Sequence, residues 1–299
     1  MDAKPFLSLL DARADAELAP ANERPLPHLT EHPEREQWRK LPFEKMHNFR
    51  DLGGYYTADG RPLRWGRLYR SDKIAGLSDE DIKYLKRLNL RRIVDFRSPE
   101  EYQSNPHSLW PDADVAIHLL PVSVEAANFD KLTARLTAAS IGAEEMADFL
   151  IAANREMIER FTPTFRQWMQ LLLEEDFYPQ VFHCSAGKDR TGLAAALVLH
   201  ALGVDDDVIM QDYLATNTYT EARVRRILGL LTEHPEWRHS DAALGSLLRA
   251  SPEFLNAAYG AIEKDYGDID RYLQVGLGIG DSERQRLKTL LLDNSEALS

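Results

Sequence analysis

One run restricts the fold of this chain more than any other: Val181-Phe182-His183-Cys184-Ser185-Ala186-Gly187-Lys188-Asp189-Arg190-Thr191-Gly192, followed by the apolar stretch Leu193 to Leu202. Its apolar start reads as a strand, its glycine-containing middle as a tight loop and its tail as a buried helix. A loop placed there aims its backbone N–H groups and the positive end of the helix dipole at one point. Such a point holds an anion and favours the thiolate form of a cysteine. Cys184 is the only cysteine in 299 residues, and Arg190 follows it by six positions. The pattern predicts a phosphate cradle built around one thiol.

The flanking sequence supplies a sheet for that loop to sit on. Gly66 to Ser71 reads as a strand, and Leu77-Ser78-Asp79-Glu80-Asp81 as a helix start capped by Ser78, with Ile82, Leu85 and Leu88 on one stripe. Leu90 to Phe96 is a buried strand running into Arg97-Ser98-Pro99-Glu100-Glu101, and Val115 to Val122 is a further strand. Strand, helix, strand in this order predicts an α/β protein with a central, mostly parallel sheet flanked by helices. Residues 1–40 read as an N-terminal extension, with a short helix from Pro5 to Leu18 and then a proline-rich loop; residues 41–299 read as the catalytic domain. Within it, residues 123–160 are a helical insertion that serves either as a lid over the site or as packing, with helices over Asn128 to Ala139 and Glu144 to Arg160. A separate helix is expected from Thr164 to Glu174. The C-terminal part, 205–299, is helical, over Asp205–Thr216, Tyr219–Leu231, Ser251–Tyr266 and Ser282–Leu292.

Composition removes several functions. A formal charge of −12 argues against nucleic acid or anionic membrane as a general partner. A single cysteine forms no internal disulfide, and no run has the length of a signal core or a membrane span. A cytoplasmic chain with no integral membrane segment is expected; export without a cleavable signal would leave no mark in the sequence.

Phosphomonoester hydrolysis through a thiol needs a nucleophile, a cradle for a dianion, a cation that follows the transferring oxygens and an acid for the leaving group. Cys184 is the candidate nucleophile. The N–H groups of Ser185, Ala186, Gly187, Lys188, Asp189 and Arg190 form the cradle, with Gly187 permitting the turn. Arg190 grips two oxygens in a way lysine cannot. The hydroxyl of Thr191 is suited to stabilise the departing sulfur, and His183 to orient the loop through a ring N–H. No metal or other cofactor is called for.

These residues carry a resemblance. His-Cys, five residues, Arg and Thr is the signature of cysteine-dependent protein tyrosine phosphatases, and His183-Cys184-Ser185-Ala186-Gly187-Lys188-Asp189-Arg190-Thr191-Gly192 resembles the bacterial branch acting on tyrosine and lipid phosphates. Further points of resemblance are Asn48-Phe49-Arg50-Asp51-Leu52-Gly53-Gly54, Arg70-Ser71, Val94-Asp95-Phe96-Arg97, Asp212-Tyr213-Leu214, Tyr266-Gly267 and Tyr272-Leu273. The resemblance implies an α/β fold, a metal-independent mechanism, and phosphotyrosine protein substrates, with phosphoserine, phosphothreonine or phosphoinositides as further ones. It implies Asp189 as the general acid. Asp95, at a strand's C-terminal end, ranks next, and Asp112 of Trp110-Pro111-Asp112 third, for its likeness to the mobile acid loop of other tyrosine phosphatases. It also implies a rim position for Lys188, toward a second phosphate.

Other signals are weaker. Gly187-Lys188 lacks the first glycine and the Ser or Thr of a nucleotide P-loop, and Gly276 to Gly280 lacks dinucleotide spacing and reads as a loop between the last two helices. Asp205-Asp206-Asp207 reads as a helix start. The nine histidines show no paired zinc spacing. Arg61, Arg64, Arg67 and Arg70 read as a solvated face. Arsenate reduction requires further cysteines. Rhodanese-type sulfur transfer fits the loop poorly, and a non-catalytic phosphate-binding module would not need both Cys184 and Arg190.

Overall fold

The computed structural model describes residues 18–30, 34–124, 135–136, 138, 141–231, 233 and 241–293. A sheet of five strands, β1 (Arg50–Asp51), β2 (Leu68–Ser71), β3 (Arg92–Asp95), β4 (Ala116–Leu119) and β5 (Gln180–His183), runs in the order β1-β2-β5-β3-β4. β5 is parallel to both β2 and β3, β4 is parallel to β3, and β1 is antiparallel to β2. The last strand in sequence is therefore the central one. Its His183 stands level with Ser71 on one side and Asp95 on the other. The loop after it emerges between two strands' carboxyl ends, where open α/β sheets place their ligands.

Each sheet face has its own core. Val181 packs with Tyr69, Ile93 and the Tyr84-Leu85-Leu88 stripe of α1 (Asp79–Arg87), while Phe182 packs with Val94, Phe96 and the helical layer opposite. A strand buried on both faces reads as a continuous apolar run rather than an alternating one. Ser78 caps α1 as the sequence predicts, accepting the Asp81 N–H at 3.2 Å. The described part of the N-terminal extension docks on the same face. Ala21 and Leu26 are buried there, and Arg24 donates to Asp81 at 2.9 Å and Glu44 at 2.5 Å.

The helical layer contains α2 (Pro99–Ser104), α3 (Ala143–Leu171), α4 (Asp189–Leu202), α5 (Asp206–Tyr219), α6 (Glu221–Leu231), α7 (Asp241–Leu248), α8 (Pro252–Tyr266) and α9 (Asp281–Leu291). α4 is apolar on nearly every face and sits at the centre of this layer. It ends at Gly203, whose φ of 87° permits a left-handed cap, and Val204 N–H closes back on Leu199 O. Among the described residues, no helix is long and apolar enough to cross a membrane.

Two sequence expectations change. The helices expected over Glu144 to Arg160 and Thr164 to Glu174 are one continuous helix, α3, with Pro163 inside it. An internal proline costs about 3 kcal/mol. The stripe Met146, Leu150, Ala153, Met157, Phe165, Trp168 stays in phase across it, however, and is buried throughout, which offsets that cost. Residues 143–160 of the expected insertion are thus the first half of a core helix packed against α7 and α8. α2 and α7 were not expected at all. The helix expected from Asn128 to Ala139 lies mostly outside the described residues, and that from Pro5 to Leu18 almost wholly so.

Candidate active site

The loop's carbonyls are all spoken for on one side. Cys184 O lies 3.1 Å from His183 Nδ1, and Ser185 O accepts the Lys73 N–H at 3.1 Å. Asn48 Nδ2 donates to Ala186 O at 3.1 Å and Gly187 O at 3.0 Å, and Arg70 Nη2 donates to Gly187 O at 2.8 Å. In a trans peptide the C=O and the following N–H point in opposite directions. Four carbonyls tethered outward therefore turn the N–H groups of residues 185–188 inward. Gly187 is required at its position: φ is +66°, and a Cβ would fall 2.5 Å from Ser71 O.

Those tethers hang from a buried ionic network. Asp212 of α5, 1% exposed, accepts from Arg50 Nε at 3.0 Å, from Arg70 Nη1, and from the Tyr55 hydroxyl at 3.1 Å. Burial pushes this carboxyl up, but Arg50 and Arg70 outweigh it and hold it well below the usual carboxylate range. Arg50 also donates to the Asn48 side chain, which aims the asparagine amide at the loop. Arg70 is fully buried, so its expected place on a solvated face is corrected: it is a strut between Asp212 and Gly187. The scattered motifs Asn48 to Gly54, Arg70-Ser71 and Asp212-Tyr213 thus converge on one job, the shape of the loop.

Arg190 faces a second network. Its Nη1 donates to Glu101 Oε2 at 2.7 Å and its Nη2 to Glu101 Oε1 at 2.9 Å, while Ser185 Oγ donates to Glu101 Oε1 at 2.5 Å. The end of the guanidinium is thereby fixed. Its Nε–H and the second Nη2–H make no hydrogen bond among the described residues, and they form a side-on fork of the kind that takes two oxygens of a phosphate. Although burial opposes it, Arg190 and then Ser185 lower the Glu101 carboxyl to about 2. Glu101 was missed by sequence reasoning, yet a signal was there. Ser98-Pro99-Glu100-Glu101 is a capping box with proline at the first helical position, and Ser98 N–H donates to Glu101 Oε2 at 2.8 Å.

The remaining predicted residues separate. Asp189 opens α4, with Oδ2 3.5 Å from Lys188 Nζ and its carboxylate facing the Tyr213 hydroxyl, while the Thr191 hydroxyl is buried without a hydrogen-bond partner among the described residues. Lys188 is not at an exposed rim. It is 2% exposed, and its Nζ donates to Leu247 O at 2.8 Å and Arg249 O at 3.0 Å, capping the end of α7. Burial lowers its pKa. Asp95 is fully buried and takes Arg97 Nε at 3.0 Å and Nη2 at 2.7 Å; burial raises its carboxyl, but His183, His107 and Arg97 together bring it well below the usual range. A carboxylate so held has no proton to give near neutrality. Asp112 is exposed and precedes β4. Because β4 is parallel to β3, and β3 to β5, the start of β4 lies at the opposite end of the strands from Cys184. Trp-Pro-Asp therefore does not reach the loop.

Asp95, His107 and His183 are also the one group of metal-ligating types gathered within 4.8 Å among the described residues. The atoms that face one another, Asp95 Oδ2, His107 Nε2 and His183 Nε2, are engaged in the hydrogen bonds of the loop's support, with Arg97 already on the carboxylate.

Residues 41–293 match the model of the tyrosine phosphatase family. The triple specificity protein phosphatase PtpB of Mycobacterium tuberculosis is 33% identical over 276 residues, covering 82% of this chain and 96% of that protein. A Cupriavidus necator protein with a provisional tyrosine-protein phosphatase name is 34% identical over 248 residues, 80% and 84% of the two chains. A tyrosine-protein phosphatase of Nostoc commune is 27% identical over 228 residues. Among solved structures, Pseudomonas aeruginosa TpbA aligns over 65% of this chain and 97% of its own, at 17% identity and a TM-score of 0.31. The family match spans the sheet, the tethered loop and the helices around it, and the chain belongs to the tyrosine phosphatase family.

Proposed function

We propose that the chain hydrolyses phosphotyrosine in proteins through a phosphocysteine intermediate on Cys184, with phosphoserine and phosphothreonine as further substrates. The observation that carries the reading is the set of four outward carbonyls, which leaves the N–H groups of residues 185–188 and the Arg190 fork facing one point next to the thiol. The sulfur attacks phosphorus in line with the ester oxygen, the P–O bond breaks, and Asp189 protonates the leaving oxygen. Water then attacks the phosphocysteine with Asp189 as base. The P–S bond breaks, the Thr191 hydroxyl stabilises the departing sulfur, and inorganic phosphate leaves. Support for Asp189 as the acid comes from its place in the loop at the start of α4, set against the Arg97-bound Asp95.

The triple specificity named for the mycobacterial relative supports a broad range. Lys188 in the phosphate cradle acts through its backbone N–H, since its ammonium group is bound to α7 carbonyls; a monophosphate is therefore favoured over a phosphoinositide. A cytoplasmic location is the reading the composition supports. The test is hydrolysis of para-nitrophenyl phosphate in EDTA, with acid quenching and mass spectrometry of the protein. Wild type should turn over and carry one phosphoryl group on Cys184, whereas Cys184→Ser should be inactive. Turnover by Cys184→Ser would sink the reading. Phosphotyrosine peptide, phosphothreonine peptide and phosphatidylinositol phosphates assayed side by side rank the substrates, and faster turnover of the lipids would overturn the preference.

A further inference from the structure

Behind the loop, away from the phosphate-facing side, three side chains meet: Asp95 at the end of β3, His183 at the end of β5, and His107 from the segment after α2. Their protonation follows from what each atom touches. The Cys184 carbonyl can only accept, so His183 Nδ1, 3.1 Å from it, carries a hydrogen. His183 is fully buried, and burial pushes its imidazole down to about 4, so near neutrality the ring is uncharged and Nε2 is a lone pair. That lone pair faces His107 Nε2 at 2.9 Å. His107 Nε2 is then the donor, and the same N–H lies 3.2 Å from Asp95 Oδ2, whose carboxylate Arg97 grips. The far nitrogen, His107 Nδ1, is buried with no hydrogen-bond partner among the described residues. That suits a bare acceptor better than a stranded N–H, since an unmet buried donor pays its full desolvation cost.

We propose that His107 is a positioning residue: its Nε2–H locks His183 in the Nδ1–H tautomer and so holds the carbonyl of Cys184, the first of the four outward carbonyls. The inference rests on Cys184 being the nucleophile. Which ring nitrogen of a histidine is protonated is set by the hydrogen bond the other one makes. Without the His107 donor, His183 is free to move its proton to Nε2, which sets two acceptors against each other at Cys184 O. The peptide joining Cys184 to Ser185 loses its tether, and with it the aim of the Ser185 N–H and the sulfur. Arg190 and the other loop N–H groups keep their own supports, so the loss falls on kcat rather than on KM.

Two measurements test this. Imidazole nitrogen NMR of the wild-type protein should find His183 protonated on Nδ1; protonation on Nε2 would overturn the proposal whether or not any variant folds. His107→Leu keeps the bulk without a donor. It should lower kcat by roughly tenfold, the loss of one buried hydrogen bond, with little change in KM and slower alkylation of Cys184 by iodoacetamide at fixed pH. His107→Gln, whose amide N–H can donate, should recover most of both. Equal kcat and alkylation rates in the two variants would overturn it. The parent reading stands or falls separately, on Cys184→Ser, which involves neither histidine.

Discussion

Two arginine–carboxylate networks hold the same loop, and burial makes them different devices. Asp212 with Arg50 and Arg70 is sealed, each side chain no more than 1% exposed, and it directs its donors to itself, to Asn48 and Thr216, and to one loop carbonyl, Gly187 O. Glu101 with Arg190 and Ser185 is partly open, the Glu101 side chain being 33% exposed and that of Arg190 17%, and it leaves the side-on fork of Arg190 unspent. A sealed pair is costly to break because its partner is left as an uncompensated buried charge. A partly open pair costs less to break, since water partly replaces the lost partner. The first network therefore sets the shape of the cradle, and the second aims the cation that enters it.

Breaking the sealed network should give the largest effect on the fold. Asp212→Asn leaves Arg50 and Arg70 facing each other without a countercharge and is expected to cost about 3–5 kcal/mol, read as a lower midpoint in urea unfolding, with activity lost alongside. Glu101→Gln should separate the two roles. It should lower kcat/KM by roughly tenfold, the worth of one charge-assisted contact, while the urea midpoint falls by less than in Asp212→Asn. If the midpoint falls as far as in Asp212→Asn, the contrast between the networks is wrong.

Acid titration sharpens the contrast further. A carboxylate held below its ordinary value stabilises the fold above that value and loses the contribution as pH falls through the lowered one. For Glu101 the window runs from 4.5 down to about 2. Asp212 is also lowered, and its loss comes at the acid end, past the usual carboxylate range. Between pH 4.5 and 2, Glu101→Gln should lose stability less steeply than wild type; an identical slope would deny Glu101 its pairing. The smallest expected effect belongs to Tyr55→Phe. It removes one hydrogen bond to Asp212 and should cost about 1 kcal/mol, with a smaller effect on turnover than Glu101→Gln.

What could be read in advance follows the range of the interactions involved. The strand–loop–helix around Cys184 and the Ser78 cap were legible because they depend on neighbours in sequence. Arg70 was misplaced because its partner Asp212 lies 142 residues away, and nothing local distinguishes a buried arginine from a solvated one at the end of a short strand. α3 was split at Pro163 because a helix-breaking residue outweighs the stripe that continues beyond it until the core that buries the stripe is known. Glu101 differs from these. Its capping box is a local pattern and was readable, but the pairing with Arg190 spans 89 residues and gave the helix its importance. Asp95 shows the reverse failing: a carboxylate at a strand's C-terminal end fits a catalytic acid until Arg97, two residues on, is seen folded back onto it.

The central claim is that the cradle is set before substrate arrives and that Glu101 and the phosphate use different sides of Arg190. A crystal structure of the protein with orthovanadate tests it most directly. The account predicts vanadium bonded to the Cys184 sulfur, its oxygens on the N–H groups of residues 185–188 and on Nε and Nη2 of Arg190, with the Arg190–Glu101 pair and the Asn48 and Arg70 tethers unchanged. A complex in which the oxyanion displaces Glu101 from Arg190, or in which the loop carbonyls leave Asn48 and Arg70, would contradict it.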